Sequence, residues 1–215
     1  MLAIAHRTPP TRERCAALGA AGATVFEIDV QAIGADLVVS HFLPVHPRLP
    51  RLRRDRTRVT LSRRHRLEVA LAQTVDALPP GAEILLDLKV DQGPAAHALV
   101  EHVVAAGPDP ARCYASTKGW DTLPALAAAE FRTWRTIGDP PALAAVLAME
   151  SVPDWAVTVK HTLLTAEVVA ALRERVPRVM TWTVNDLARA REVMAMGVDG
   201  VTSDSADVLR LVAGR

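Results

Sequence analysis

Cysteine is scarce in this chain. Only Cys15 and Cys113 occur among 215 residues, far apart and outside any Cys-x-x-Cys pair, which argues against a disulfide scaffold and a thiolate zinc site. Long apolar runs are missing as well: no stretch approaches the ~20 residues that a bilayer crossing requires. The N-terminus, Met-Leu-Ala-Ile-Ala-His-Arg, has no basic segment before its apolar run. It does not read as a signal peptide, and a cytoplasmic location is expected. Four Trp, three Phe and one Tyr leave little material for a base-stacking platform. A formal net charge of only +1 excludes a globally basic chain, so no nucleic-acid partner is expected. No Gly/Ser-rich linker divides the sequence, and residues 1–215 read as a single domain.

What is present is alternation. Strand-forming runs near residues 3, 27, 86, 114, 134, 158, 181 and 201 are interleaved with Ala/Leu-rich stretches at 66–78, 95–106, 120–130, 141–150, 166–176, 187–196 and 206–213. Such a pattern predicts a parallel sheet covered by helices, and eight units predict an α/β fold of the closed (β/α)8 TIM-barrel type. Residues 36–41 are then an excursion after the second strand. A doubly wound open sheet is the alternative. Asn185-Asp186 and Ser203-Asp204-Ser205 supply side-chain oxygens for capping the last two helices.

Two strands carry acids where a core strand should be apolar. In Val25-Phe26-Glu27-Ile28-Asp29-Val30, side chains alternate across the strand, so Glu27 and Asp29 share one face and Phe26, Ile28 and Val30 the other. With the apolar set against the helices, both carboxylates point into the barrel. Leu86-Asp87-Leu88-Lys89-Val90 repeats the pattern with Asp87 and Lys89. Three converging acids repel one another unless a cation neutralises them. One reading is internal ion pairing through Lys89; the other is a hard-cation site for Mg²⁺ or Ca²⁺.

His6 follows the first strand and His41 ends the 36–41 run, which puts both at the C-terminal mouth where barrel chemistry is built. Histidine suits proton transfer near neutral pH. His46, His65, His97 and His102 read as surface or core residues, and His161 is undecided. Of 25 basic residues only Lys89, Lys118 and Lys160 are lysine, and Lys89 and Lys160 fall at strand ends. A compact ammonium there suits a cramped polyanionic site. Trp182, ending the seventh strand, either walls an apolar part of a substrate or fills the barrel.

Taken in order, Ile4-Ala5-His6-Arg7, Glu27-Ile28-Asp29, Val38-Val39-Ser40-His41, Leu86-Asp87-Leu88-Lys89, Thr181-Trp182-Thr183-Val184-Asn185 and the run from Gly197 to Asp204 resemble the motifs of the glycerophosphodiester phosphodiesterase family. These are TIM-barrel enzymes related to the phosphatidylinositol-specific phospholipases. The resemblance implies one divalent cation held by Glu27, Asp29 and Asp87. It also implies His6 and His41 as general acid and base, and Arg7 and Lys89 on the substrate phosphate. A small phosphodiester is the implied partner, with Trp182 and Lys160 as further candidates for its pocket.

The chain departs from the family pattern at several points. Thr8 stands in place of a glycine, Pro9-Pro10 follow at once, a polar segment of the first loop is missing, Phe42 replaces an aspartate and Asp87 a glutamate. These changes leave the two histidines and the acids intact while altering the surroundings of the substrate. The implied function is hydrolysis of glycerophosphodiesters or a related polar phosphodiester. The alternatives are a lyase resembling sphingomyelinase D that releases a cyclic phosphate, and a non-catalytic barrel binding a phosphorylated ligand. Residues 48–66, from Arg48 to Arg66, hold nine arginines against the single acid Asp55. They read either as a solvated loop or as a funnel for an anionic substrate or a peripheral contact with an anionic membrane.

Overall fold

The computed structural model describes residues 1–8, 11–33, 36–39, 51–54, 59–62, 77–90, 94–105 and 109–214. Eight parallel strands form the frame: β1 (Leu2–Ala5), β2 (Val25–Ile33), β6 (Glu83–Leu88), β7 (Cys113–Thr117), β8 (Arg132–Ile137), β9 (Ala156–Lys160), β10 (Val179–Trp182) and β11 (Gly200–Ser203). Each pairs with the next, and β1 pairs with both β11 and β2, so the sheet closes and the open doubly wound alternative is excluded. A short strand β3 (Asp36–Val39) turns back antiparallel on β2, with Val39 beside Val30, which is the expected excursion. The arginine-rich stretch, expected as a loop, contains a two-stranded antiparallel ribbon instead, β4 (Arg51–Arg54) with β5 (Val59–Ser62).

The covering helices are α1 (Arg12–Ala20), α2 (Pro94–Ala105), α3 (Leu123–Ala128), α4 (Pro140–Leu147), α5 (Ala166–Arg173), α6 (Leu187–Ala195) and α7 (Ala206–Ala213). Helix α1 was not expected from the pattern. It opens Arg-Glu-Arg and buries only Cys15 and Leu18, so it carries almost no apolar stripe to read. The helix expected at 66–78 lies almost wholly outside the described residues, which resume at Ala77. Capping follows the sequence at Asp186 and Ser205, and Asp139 and Thr165 cap two further helices. Asp139, Asp186 and Ser205 accept hydrogen bonds from the backbone N–H groups of Ala142, Arg189 and Val208.

Strand parity sorts the side chains as expected. Phe26, Ile28 and Val30 pack in the cores under the helices, whereas Val25 joins Ile4, Leu85, Tyr114, Trp134, Ala156 and Met180 inside the barrel. Trp134 is fully buried there, its ring 4.9 Å from Tyr114 and 5.9 Å from Trp155. On the N-terminal side of this plug, Tyr114 Oη donates to Glu83 at 2.7 Å. Arg132 lies over the Tyr114 ring at 3.9 Å and is salt-bridged to Glu83. With its lower half filled, the barrel leaves room at the C-terminal ends of the strands.

Candidate active site

At that end lies a cleft of about 410 Å3 to which every barrel strand contributes. His6, Glu27, Asp87, Ser116, Thr136, Thr158, Trp182 and Thr202 line it, one from or just beyond each strand, together with Arg7, Lys89 and Lys118. Register explains the acidic cluster. Strands β2 and β6 pair with Asp29 directly opposite Asp87, and β6 and β7 pair with Asp87 opposite Ser116. Same-face residues on adjacent parallel strands sit about 4.8 Å apart, so the two aspartates meet with no special loop to bring them together.

Glu27, Asp29 and Asp87 each offer an oxygen lying within 4.8 Å of the others. Glu27 and Asp29 are 3% and 4% exposed. Burial, and then the charges of Asp29 and Asp87, push the Glu27 carboxyl well above the ordinary range. Two cations offset part of this charge. Lys89 Nζ lies 2.6 Å from Asp29 Oδ1 and also contacts Asp87, and Arg7 Nε is 3.6 Å from Asp29 Oδ2. Burial works to lower the Lys89 ammonium, but the three acids outweigh it and hold it above its usual value. Ser116 Oγ donates to the remaining Asp87 oxygen at 3.0 Å. The ion-pairing reading holds in that Lys89 bridges two of the acids, and further carboxylate oxygens remain that could hold a cation. Three carboxylates against two fixed cations fit a divalent ion.

The chain leaves β1 under strain. Arg7 has φ +50°, the left-handed region that non-glycine residues seldom enter, and its backbone N–H donates to Glu27 Oε2 at 2.5 Å. Thr8, where a glycine was expected, is buried, and its N–H donates to Glu27 O at 2.8 Å. The turn therefore absorbs the threonine and uses its backbone to fix the Glu27 segment.

His6 is held from behind by a group not foreseen from the sequence. Its Nδ1 lies 2.9 Å from Asp204 Oδ1, and Asn185 Nδ2 donates to Asp204 Oδ2 at 2.9 Å. Asn185 Oδ1 in turn accepts from Ser203 Oγ and Asp204 N–H. Burial works to raise the Asp204 carboxyl, but hydrogen bonds and charge from His6, with Asn185 and Arg7, outweigh it and hold it below its usual range. A carboxylate on Nδ1 leaves Nε2 as the nitrogen available for proton exchange. In the sequence Asp204 and Asn185 read as capping residues. Their network needs the closing of β11 on β1, which no local pattern reveals.

The remaining candidates divide. Trp182 lines the cleft. Lys160 does not: it is exposed at the end of β9, and Lys118, just beyond β7, is the second lysine in the lining after Lys89. His161 is part-buried in a short turn after β9 and is not in the lining, while His97 and His102 lie on α2. His41, His46, His65 and Phe42 lie outside the described residues. Among those described, no helix is long and apolar enough to cross a membrane.

Known proteins match this architecture. A Silicibacter pomeroyi protein assigned as a glycerophosphoryl diester phosphodiesterase superposes with a TM-score of 0.75 at 21% identity, over 99% of this chain and 92% of the other. A Parabacteroides distasonis glycerophosphodiester phosphodiesterase gives 0.73 at 14% identity, over 99% and 97%. An Oleispira antarctica phosphodiesterase, solved with the product sn-glycerol-3-phosphate, gives 0.70 at 18%, over 100% and 97%. No curated protein sequence matches significantly. The family model for glycerophosphoryl diester phosphodiesterases matches residues 80–208, more than half of the chain, taking in Asp87, Lys89, Trp182 and Asp204. His6, Glu27 and Asp29 precede the match, and the barrel brings them to Asp87 and Asp204. The chain therefore belongs to the glycerophosphoryl diester phosphodiesterase family and is a phosphoric diester hydrolase of that kind.

Proposed function

We propose that the protein is a divalent-cation-dependent phosphodiesterase that cleaves glycerophosphodiesters, with Glu27, Asp29 and Asp87 holding the ion. The observation that carries this reading is the meeting of these three acids beside His6 in the cleft at the C-terminal end of a family barrel. A divalent cation, Mg²⁺ or Ca²⁺, would supply neutralisation of the charge that builds on the phosphoryl oxygens. Arg7 and Lys89 bind the same phosphate, and the Asp29 and Asp87 carboxylates keep the Lys89 ammonium charged and in place.

His6 exchanges a proton through Nε2, with Asp204 on Nδ1 fixing the orientation of the ring. The second proton-transfer group is His41. This assignment rests on sequence: His41 follows Val39 by two residues, and Val39 is paired with Val30 at the cleft end of β2. One histidine takes the proton of the attacking hydroxyl, from water or from the neighbouring substrate oxygen, and the other delivers a proton to the departing alcohol. The polar lining of Ser116, Thr136, Thr158 and Thr202 suits a hydroxyl-rich substrate.

The test is hydrolysis of glycerophosphoglycerol with Mg²⁺, Ca²⁺ or Mn²⁺, before and after EDTA, followed by phosphorus NMR. The expected result is turnover to glycerol phosphate, abolished by chelation and restored by the cation. Turnover unchanged by chelation overturns the cation assignment. An end product that remains a cyclic phosphate identifies the lyase instead, and binding without product identifies a non-catalytic barrel.

A further inference from the structure

Next to the acids, the ends of the two following strands carry a second set of polar groups. Lys118 extends from the end of β7 to the residue after β8. A Cβ placed on Gly138 would stand 3.2 Å from Lys118 Cε, 3.3 Å from its Nζ and 3.9 Å from Trp182 Cζ2. The ammonium therefore lies close over Gly138, in space that a larger residue at 138 would contest and that the Trp182 indole also borders. Two further facts point to a ligand here. Arg7 and Lys89 are turned to Asp29, and Lys89 also to Asp87, whereas among the described residues no carboxylate pairs with Lys118. On the neighbouring strand Thr136 is 7% exposed and lines the cleft, yet its Oγ1 has no hydrogen-bond partner among the described residues. The buried hydroxyl calls for a partner from outside the chain, and the Lys118 ammonium lines the same cleft.

We propose that Lys118, with the Thr136 hydroxyl, forms an anion-reading subsite selecting glycerophosphodiesters whose second alcohol carries a carboxylate or a phosphate. This rests on the phosphodiesterase reading above and names its substrate class. The phosphodiester sits at Arg7 and Lys89, and the second anion reaches Lys118 in the same cleft. The same lysine rejects a cationic headgroup. The Trp182 face could otherwise attract a quaternary ammonium, but the Lys118 ammonium in the same cleft repels one.

Three diesters that differ only in the second alcohol (glycerol, glycerate and glycerol phosphate) test it. The wild-type enzyme is expected to show kcat/KM about tenfold higher for an anionic member than for the neutral one, equivalent to about 1.4 kcal/mol. That preference should shrink as salt is raised. K118M reduces the preference to less than twofold, and K118R retains most of it. Lys118 is exposed, so K118M is expected to fold, and a thermal melt checks this.

A calorimetric arm measures affinity for the same three compounds in H6A and H6A/K118M, where they stay intact, and there too the preference must depend on Lys118. Selection of only one of the two anions supports the proposal and identifies the group. Equal kcat/KM in the wild type together with equal affinities in H6A overturns it, as does a preference that survives K118M. If no diester is turned over, the phosphodiesterase reading fails while the calorimetric preference still decides the role of Lys118.

Discussion

Substitution of Glu27 by glutamine should stabilise the cation-free protein and abolish its response to the cation. Like charges 4.8 Å apart repel by about 3–4 kcal/mol at an effective dielectric constant near 20, and Glu27 faces both Asp29 and Asp87. That repulsion, which acts from both aspartates, is only partly realised, because the carboxyl relieves it by taking up a proton and Lys89 offsets part of it. A gain of about 1–2 kcal/mol for E27Q is therefore expected. In the wild type, a cation at 100 times its dissociation constant adds about 2.7 kcal/mol. At about 2–4 °C per kcal/mol for a domain of this size, Tm rises by about 5–11 °C.

The pH dependence has a definite sign. Between the ordinary glutamate value of about 4.3 and the raised value of Glu27, the folded state holds a proton that the unfolded state has lost. Stability of the cation-free protein then falls as pH climbs through that window. The slope flattens in E27Q, and cation binding releases a proton. Differential scanning calorimetry across pH, with and without Mg²⁺ or Ca²⁺, measures all of this. An E27Q protein less stable than the cation-free wild type, or one that keeps the full cation shift, would refute the reasoning.

Other consequences bear on the proton path and the core. H6A should lower kcat by about 10²–10⁴-fold while its melting temperature stays near that of the wild type; a mutant with wild-type turnover would remove His6 from the mechanism. D204N deprives His6 Nδ1 of its carboxylate and should lower kcat by about 10–100-fold with KM little changed. A positioning role further requires that its pH–rate profile move while its cation affinity does not. Burial is the main cause that pushes the Cys113 thiol up to about 11, so the native protein should resist a maleimide at pH 8, and rapid native labelling would contradict that burial.

The barrel was legible because parallel strands buried on both faces leave short apolar runs at regular intervals, and all eight of those runs became strands. The acids were legible for the same reason. Alternation in Glu27-Ile28-Asp29 and in Asp87-Leu88-Lys89 fixes which face each residue takes, and the adjacency of β2 and β6 supplies the rest. What could not be read locally depends on closure or on weak patterns. Asp204 reaches His6 only because β11 pairs with β1. Lys118, assigned no role from the sequence, directly follows β7 and lines the cleft, while Lys160, the lysine the sequence did single out, lies outside the lining. Helix α1 escaped notice because two buried residues in nine make no periodic signal.

Anomalous diffraction from crystals soaked in Mn²⁺ addresses the central claim most directly. A peak bounded by carboxylate oxygens of Glu27, Asp29 and Asp87, and lost in D29N, is the predicted result. Manganese bound elsewhere, or these acids left facing only Lys89 and Arg7 at saturating Mn²⁺, would contradict it.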